Sequence, residues 1–541
     1  MKPRIQTIQQ RLFFLLFALL SPILAFCQDP AAKGIDQKID EAFKPIADAI
    51  FNFVLYSIPL GGGLSAPIVL IVLISGALYF TFYFAFPNIR YLGLAIKTVK
   101  GDFYEPTSTS NITPSDHQRA TVLDDMPDTI RDESAQGEVT PFQALTAALS
   151  ATVGLGNIAG VAVALSVGGP GATFWMILAG ILGMATKFTE CTLGVKYREI
   201  DADGTVHGGP MYYLSKGLDS KGLGGLGKVF AVFFAIMCVG GSFGGGNMFQ
   251  ANQAAAQFLS MVYGNDIPLA AKTIFGVIIA ILVAVVIIGG IKRIGQVTEK
   301  IVPFMAVLYV GAAIVIIIMN IAAIPAAVGL IFSGAFTPTA AVGGFIGVLI
   351  QGFQRAAFSN EAGVGSAAIA HSAVRTAHPA SEGMVALLEP FIDTVVICTM
   401  TALVLIVTNI DGGFMTYGSQ VPDGVVVTST AFESTIPGAS YILTIAVVLF
   451  AFSTMLSWSY YGLQAWKYLF GKGKTTDLVY KVLFCVFVVI GSAAGLGSVV
   501  HFSDAMIFAM VFPNIIGLLI LAPVVKEEVA KYVAFTKNYK K

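Results

Sequence analysis

The chain has 541 residues, 56% of them apolar and 12% charged, and 32 Lys and Arg balance 32 Asp and Glu to a net charge of zero. A soluble domain carries about 25% charged residues, so the composition, with a mean hydropathy of +0.78, excludes a soluble globular protein and points to a polytopic membrane protein. The charge balance also excludes the strongly basic surface that a nucleic-acid partner would require.

The N-terminus opens with Lys2, Arg4 and Arg11 and an apolar run from Leu12 to Phe26, which reads as a signal peptide over 1–27 with Ala25 and Cys27 as small residues at its cleavage site. Residues 28–67 read as a polar extracytoplasmic segment whose stretch Lys33 to Ala49 is amphipathic. Apolar segments of roughly 20 residues, enough to span a hydrocarbon core of about 30 Å, then recur about eleven times. They are Ile68 to Ala85, Phe142 to Val167, Thr173 to Val195, Lys228 to Leu259, Leu269 to Gly289, Ile301 to Ala322, Ala341 to Ala370, Met384 to Val407, Tyr441 to Phe470, Tyr480 to Gly497 and Ser503 to Val525. The expected class is an all-α polytopic membrane protein with an extra first helix (68–88), a mobile acidic cytoplasmic loop (89–141), two five-helix units (142–322 and 341–525) and a cytoplasmic tail (526–541).

Lys and Arg fix the expected orientation. With the first span entering from outside, Arg90, Lys97, Lys196, Arg198, Lys292, Arg293, Arg375, Lys472 and the tail fall on the cytoplasmic side, whereas 323–340 and 409–440 hold no Lys or Arg. The N-terminus is then outside, as a cleaved signal peptide requires. The remaining cysteines, Cys191, Cys238, Cys398 and Cys485, read as small buried hydrophobes.

Two glycine clusters, GLGNIAG from Gly154 and GVGSAAI from Gly363, interrupt apolar segments in mid-span. Since 363 − 154 and 365 − 156 both give 209, and Pro170 and Pro379 share that spacing, the chain carries an internal repeat. Five spans per unit is odd, so the second unit must cross in the opposite direction, giving a five-plus-five inverted repeat. Gly-interrupted spans in corresponding halves point to the binding site of a secondary transporter, because an unwound turn exposes carbonyls for a cation and N–H groups for a carboxylate. For an isolated cluster, close helix packing is the simpler reading; the matched partner favours unwinding.

Asn157 adds an amide to the first cluster. The fourth span carries Asn247, Gln250, Asn252, Gln253 and Gln257, and the ninth Ser453, Thr454, Ser457, Trp458 and Ser459. Each such residue reads equally as an interhelical hydrogen bond, although so many together favour a binding role, with the ninth-span hydroxyls as hard-oxygen ligands and Trp458 as the wall of a small apolar pocket. Charges within spans are few: Lys187 and Glu190 are placed to pair with each other, Arg355 to pair with Glu361, and Asp393 is the candidate for proton coupling. His207, His371, His378 and His501 have no ligand spacing and read as solvated or packed. GLGNIAG fails as a dinucleotide motif, and Val229 stands where a P-loop needs Ser or Thr.

The words AALSATVGLGNIAGVAVALSVGGPGATFWM (Ala147 to Met176), GNMFQAN, FSNEAGVGSAAIAH, FIDTVVICTMTALV and AFSTMLSWSYYG resemble the alanine or glycine:cation symporters, the sodium:alanine symporter family, over about Ser57 to Lys526. The resemblance implies the leucine-transporter-type fold, no enzymatic activity, and sodium-coupled uptake of alanine or glycine across a bacterial inner membrane, with no oligomer implied. It places substrate contacts on Gly154, Gly156, Asn157, Gln250, Gln257 and Trp458, and the co-transported sodium ion on carbonyls of Ala151 and Gly154 and hydroxyls of Ser453 and Thr454. Leu155 stands where some members carry Thr, and Ala356 replaces a commoner glycine.

Overall fold

The computed structural model describes residues 35–61, 64–103, 138–201, 204–264, 266–268, 270–336, 344–419 and 423–539; the expected signal peptide and most of the acidic loop lie outside them. Helix α1 (Ile35–Val54) leads into a small hairpin, β1 (Ser57–Gly61) and β2 (Leu64–Pro67), and then α2 (Ile68–Tyr83) and α3 (Leu92–Val99). Helix α4 (Pro141–Thr152) starts on a capping box: Thr140 Oγ1 accepts from the Gln143 N–H, the Gln143 side chain accepts from the Thr140 N–H, and Pro141 fills the first turn, where its missing N–H costs nothing.

Residues 153–155 leave the helix, a π-helical turn follows at Gly156–Gly160, and α5 (Val161–Gly168) continues at 46° to α4. Next come α6 (Ala172–Lys196), a short hairpin of β3 (Glu199–Ile200) and β4 (Val206–His207), α7 (Gly224–Phe243), a second π-turn (Gly244–Met248), α8 (Phe249–Tyr263), α9 (Ala271–Ile287) and α10 (Gly290–Met319). The second unit contains α12 (Gly344–Asn360) after α11 (Ile324–Phe336), then α13 (Ala367–Ser372), α14 (Pro379–Ala386), a π-helical stretch (Phe391–Cys398), α15 (Thr399–Gly412), α16 (Gly424–Thr435), α17 (Ala439–Phe470), α18 (Lys474–Ala493), α19 (Leu496–Ala509) and α20 (Val511–Asn538).

Each of the eleven apolar segments carries helix. Among the described residues, seven uninterrupted helical segments are long and apolar enough to cross a bilayer, and the bent α4–α5 pair forms an eighth. Three stretches expected as connections are helical. Helix α11 occupies 324–336, α16 occupies 424–435, and the expected tail continues α20 to Asn538, where Tyr532 bonds Thr98 at 2.9 Å. Hydropathy and charge mark loops by polarity, and these segments are helical because they pack on neighbours rather than because they span.

Connections that the charge pattern puts on one face meet one another. Lys196 pairs with Glu528 at 2.8 Å, Lys472 with Asp201 at 2.8 Å, and the Val206 N–H donates to Glu138 at 2.8 Å. On the opposite face, α1 reaches Thr273, Gly495 and His501.

Candidate functional site

The site grows from the first break. Once α4 ends at Thr152, the N–H groups of Gly154 and Leu155 have no helical acceptor, and an unmet buried N–H costs about 1–3 kcal/mol. Side chains supply the acceptors: Asn157 Oδ1 takes the Gly154 N–H at 2.9 Å and Gln250 Oε1, on α8, takes the Leu155 N–H at 3.1 Å. Gln250 also donates to the Gly245 carbonyl at 2.9 Å, so one amide ties the first break to the second π-turn. A Cβ on Gly154 would lie 2.5 Å from Thr454 Oγ1, which is why this position has no side chain.

Asn157 turns its other face to Asp393. Its Nδ2 donates to Asp393 Oδ1 at 2.6 Å, and the same carboxylate accepts from Ser359 at 2.7 Å and Thr394 at 2.8 Å. Three donors from three elements thus converge on one buried acid, with Cys398 Sγ 3.3 Å from Asn157 Nδ2. Carboxylate and hydroxyl oxygens are the donors that a hard monovalent cation prefers.

The second break follows α12. Glu361, Gly363 and Gly365 take φ of 57°, 89° and 92°, a left-handed run that only glycine adopts cheaply. Its carbonyls are held from outside: Lys187 donates to Asn360 O at 2.6 Å and Asn514 to Gly363 O at 2.9 Å. Glu361 accepts from Trp458 Nε1 at 2.9 Å and from Ser366. The glycines that share the 209-residue spacing therefore do different work, giving close approach at Gly154 and positive φ at Gly363 and Gly365.

The residues singled out by sequence divide. Gly154, Gly156, Asn157, Gln250 and Thr454 come together at the first break, with Gly156 against Phe358 and Ser359. Trp458 sits at the second break. Gln257 is about 10 Å further along α8, donating to Ser429 and Thr444 at 2.9 Å each. Thr454 donates to Ser150 O at 2.8 Å, beside buried Ala151, whereas the Ser453 hydroxyl turns to Phe450 O at 3.0 Å and contributes its carbonyl to Ser150. Most other fourth-span amides are interhelical: Asn247 bonds Phe484 O, Asn252 bonds Gly491 O and Ala494 O, and Gln253 accepts from the Val425 N–H.

Two pairings differ from expectation, and a buried histidine gains two acids. Lys187 pairs with Glu389 at 2.9 Å rather than with Glu190, which takes Asn514 at 2.7 Å. Arg355 pairs with Asp504 rather than Glu361. His371 is fully buried between Glu382, at 2.7 Å, and Glu389. For Lys187 and Arg355 the sequence-near partner lost to one brought close by packing. Asp393 was visible as an isolated acid in an apolar span, but Ser359 and Thr394 were not assignable to it.

A sequence model of the sodium:alanine symporter family matches residues 116–541. The chain belongs to the sodium:alanine symporter family. This sodium:alanine symporter family member is 45% identical over 410 residues to the sodium/alanine symporter AgcS of Methanococcus maripaludis, covering 75% of this chain and 87% of that one. It is 35% identical to the probable sodium/glutamine symporter GlnT of Bacillus subtilis (72% and 78% covered), and 34% identical to the putative sodium/proton-dependent alanine carrier protein YrbD of the same organism (72% and 80%). Among solved structures, MhsT in complex with L-phenylalanine superposes with a TM-score of 0.52 at 15% identity, covering 72% of this chain and 89% of that one. That likeness gives the fold, of the leucine-transporter type. The family member is accordingly a multi-pass membrane transporter, not an enzyme, and performs cation-coupled amino-acid symport.

Proposed function

We propose that the protein couples inward sodium movement to uptake of a small neutral amino acid, alanine or glycine, by alternating access in a bacterial inner membrane. The supporting observation is the first break, where Asn157 and Gln250 hold the two freed N–H groups. A substrate carboxylate exchanging with these amide oxygens finds a ready donor pair at the positive end of α5 and its π-turn. Sodium is assigned to the neighbouring oxygens, the carbonyls of Ala151 and Gly154 and the Thr454 hydroxyl, with the Ser453 hydroxyl requiring a rotamer change to join them. Trp458, bonded to Glu361 at the second break, is assigned to the substrate from α17, and Gln257 acts at a distance by fixing α8 against α16 and α17. Each positive charge carried inward gains about 2.3 kcal/mol per 100 mV of membrane potential.

The same reading takes the eleven segments as eleven spans, an extra helix and a five-plus-five inverted repeat, with the N-terminus outside. A proton-coupled version has its own observation, the three donors on buried Asp393. A competition panel of labelled amino acids in sodium and in choline buffer separates the two: alanine and glycine should compete only with sodium present. Competition that ignores sodium and follows pH transfers the coupling to Asp393.

A further inference from the structure

Helix α1 lies outside the residues that the family model matches, yet it is docked on α9 and α19. Asp36, Asp40, Phe43, Ala47 and Phe51 follow one another at three- or four-residue spacing, so they share one helical face. Asp36 accepts from Thr273 at the start of α9 at 2.6 Å. Asp40 accepts from the Gly495 N–H and from Ser498, both at 2.8 Å, capping α19 with a carboxylate from another helix. Asp48, beside Ala47, pairs with His501 at 2.6 Å, Phe51 stacks on His501 at 4.2 Å between centroids, and Phe43 meets Phe502 edge-on at 5.2 Å.

One turn beyond His501, α19 carries buried Asp504, which accepts from Gln354 at 2.8 Å and pairs with Arg355 on α12. Five residues after Arg355, α12 ends at Asn360 and the second break begins. The pair is incompletely satisfied, since Asp504 Oδ1 and Arg355 Nε have no partner among the described residues. A buried ion pair with unmet groups costs more than it returns in static stability, which suits a contact that is made and released.

We propose that α1 is a strap that holds α19 against α12 and so sets how often the Arg355–Asp504 closure opens, with Asp40, Asp48 and Phe51 as positioning residues. The inference rests on the alternating-access reading, in which α12 and α19 separate during the cycle. Ser503, buried beside Asp504 and without a hydrogen-bond partner, is the reporter. In a Cys27→Ser background, the four other cysteines being buried, a Ser503→Cys variant is treated with a membrane-impermeant thiol reagent in proteoliposomes.

With the strap intact, sodium plus alanine should change the labelling rate; no response contradicts alternating access itself. Given that response, Asp48→Ala with Phe51→Ala should raise labelling about tenfold and change the KM for uptake more than kcat, and Asp48→Glu should restore the rate to within about twofold. Should the double variant misfold, Asp40→Cys with Ser498→Cys gives the converse arm: oxidation slows Ser503→Cys labelling and reductant restores it. An unchanged labelling rate in folded strap variants, or in the oxidised pair, overturns the proposal.

Discussion

Gly154, Asn157 and Thr454 are the residues on which the proposed chemistry turns. A Cβ at Gly154 would meet Thr454 Oγ1 at 2.5 Å, so Gly154→Ala should push the unwound turn off Thr454 and cut alanine uptake more than tenfold, about 1.4 kcal/mol, in protein that still elutes as a folded species. Thr454→Ala should raise the sodium concentration for half-maximal uptake about tenfold, while Thr454→Ser, which keeps the hydroxyl, should stay near the parent. Equal sodium dependence in both variants removes Thr454 from the cation site. Asn157→Ala strips the acceptor from the Gly154 N–H and a donor from Asp393. With about 1–3 kcal/mol per unmet buried group, alanine binding should weaken at least tenfold, measured by displacement of labelled alanine. Gly154 and Asn157 could be singled out from sequence because their cluster has a partner 209 residues on, which close helix packing alone does not require. The direction of each hydroxyl could not: Ser453 and Thr454 are adjacent, and the helix sends one to Met305 and Phe450 and the other to Ser150.

Among elements, the two broken helices are held by unlike means. The first is held by amides, and the second by Lys187 and Asn514 reaching its carbonyls. Lys187 belongs to a buried chain through Glu389 and His371 to Glu382, joining α6, α13 and α14. Removing one member leaves a charge buried without its partner, which costs about 3–5 kcal/mol. Lys187→Met should therefore lower the thermal midpoint measurably in detergent, and an unchanged midpoint would mean that the chain does not brace the second break. Both breaks were legible because their glycines recur at one spacing in apolar context. The buried chain was not, since Lys187 and Glu190 are one turn apart in sequence and nothing local says that packing offers Lys187 a better acid. The fourth-span amides show the same limit. Gln250, Gln253 and Gln257 stand at i, i+3 and i+7 and so share one helical face, but only Gln250 points to the break, because a shared face does not fix which neighbour lies beside each turn.

For the molecule as a whole, the 209-residue spacing, the alternating charge of the connections and the apolar segments pointed to a secondary transporter, and the resemblance to the sodium:alanine symporters supplied the leucine-transporter type. Helices α11 and α16 escaped notice because they are short and carry no Lys or Arg, and α1 was legible as amphipathic but not as docked on α19. Its acidic residues face groups of two other chain segments, α9 and α19, which become neighbours only after the bundle assembles. The central claim is that a sodium gradient drives uptake. Proteoliposomes holding the purified chain, given labelled alanine outside at fixed pH, should accumulate it above the external concentration under an inward sodium gradient and only equilibrate in choline. Accumulation that is the same in both buffers, or that appears only with an imposed proton gradient, would contradict the account.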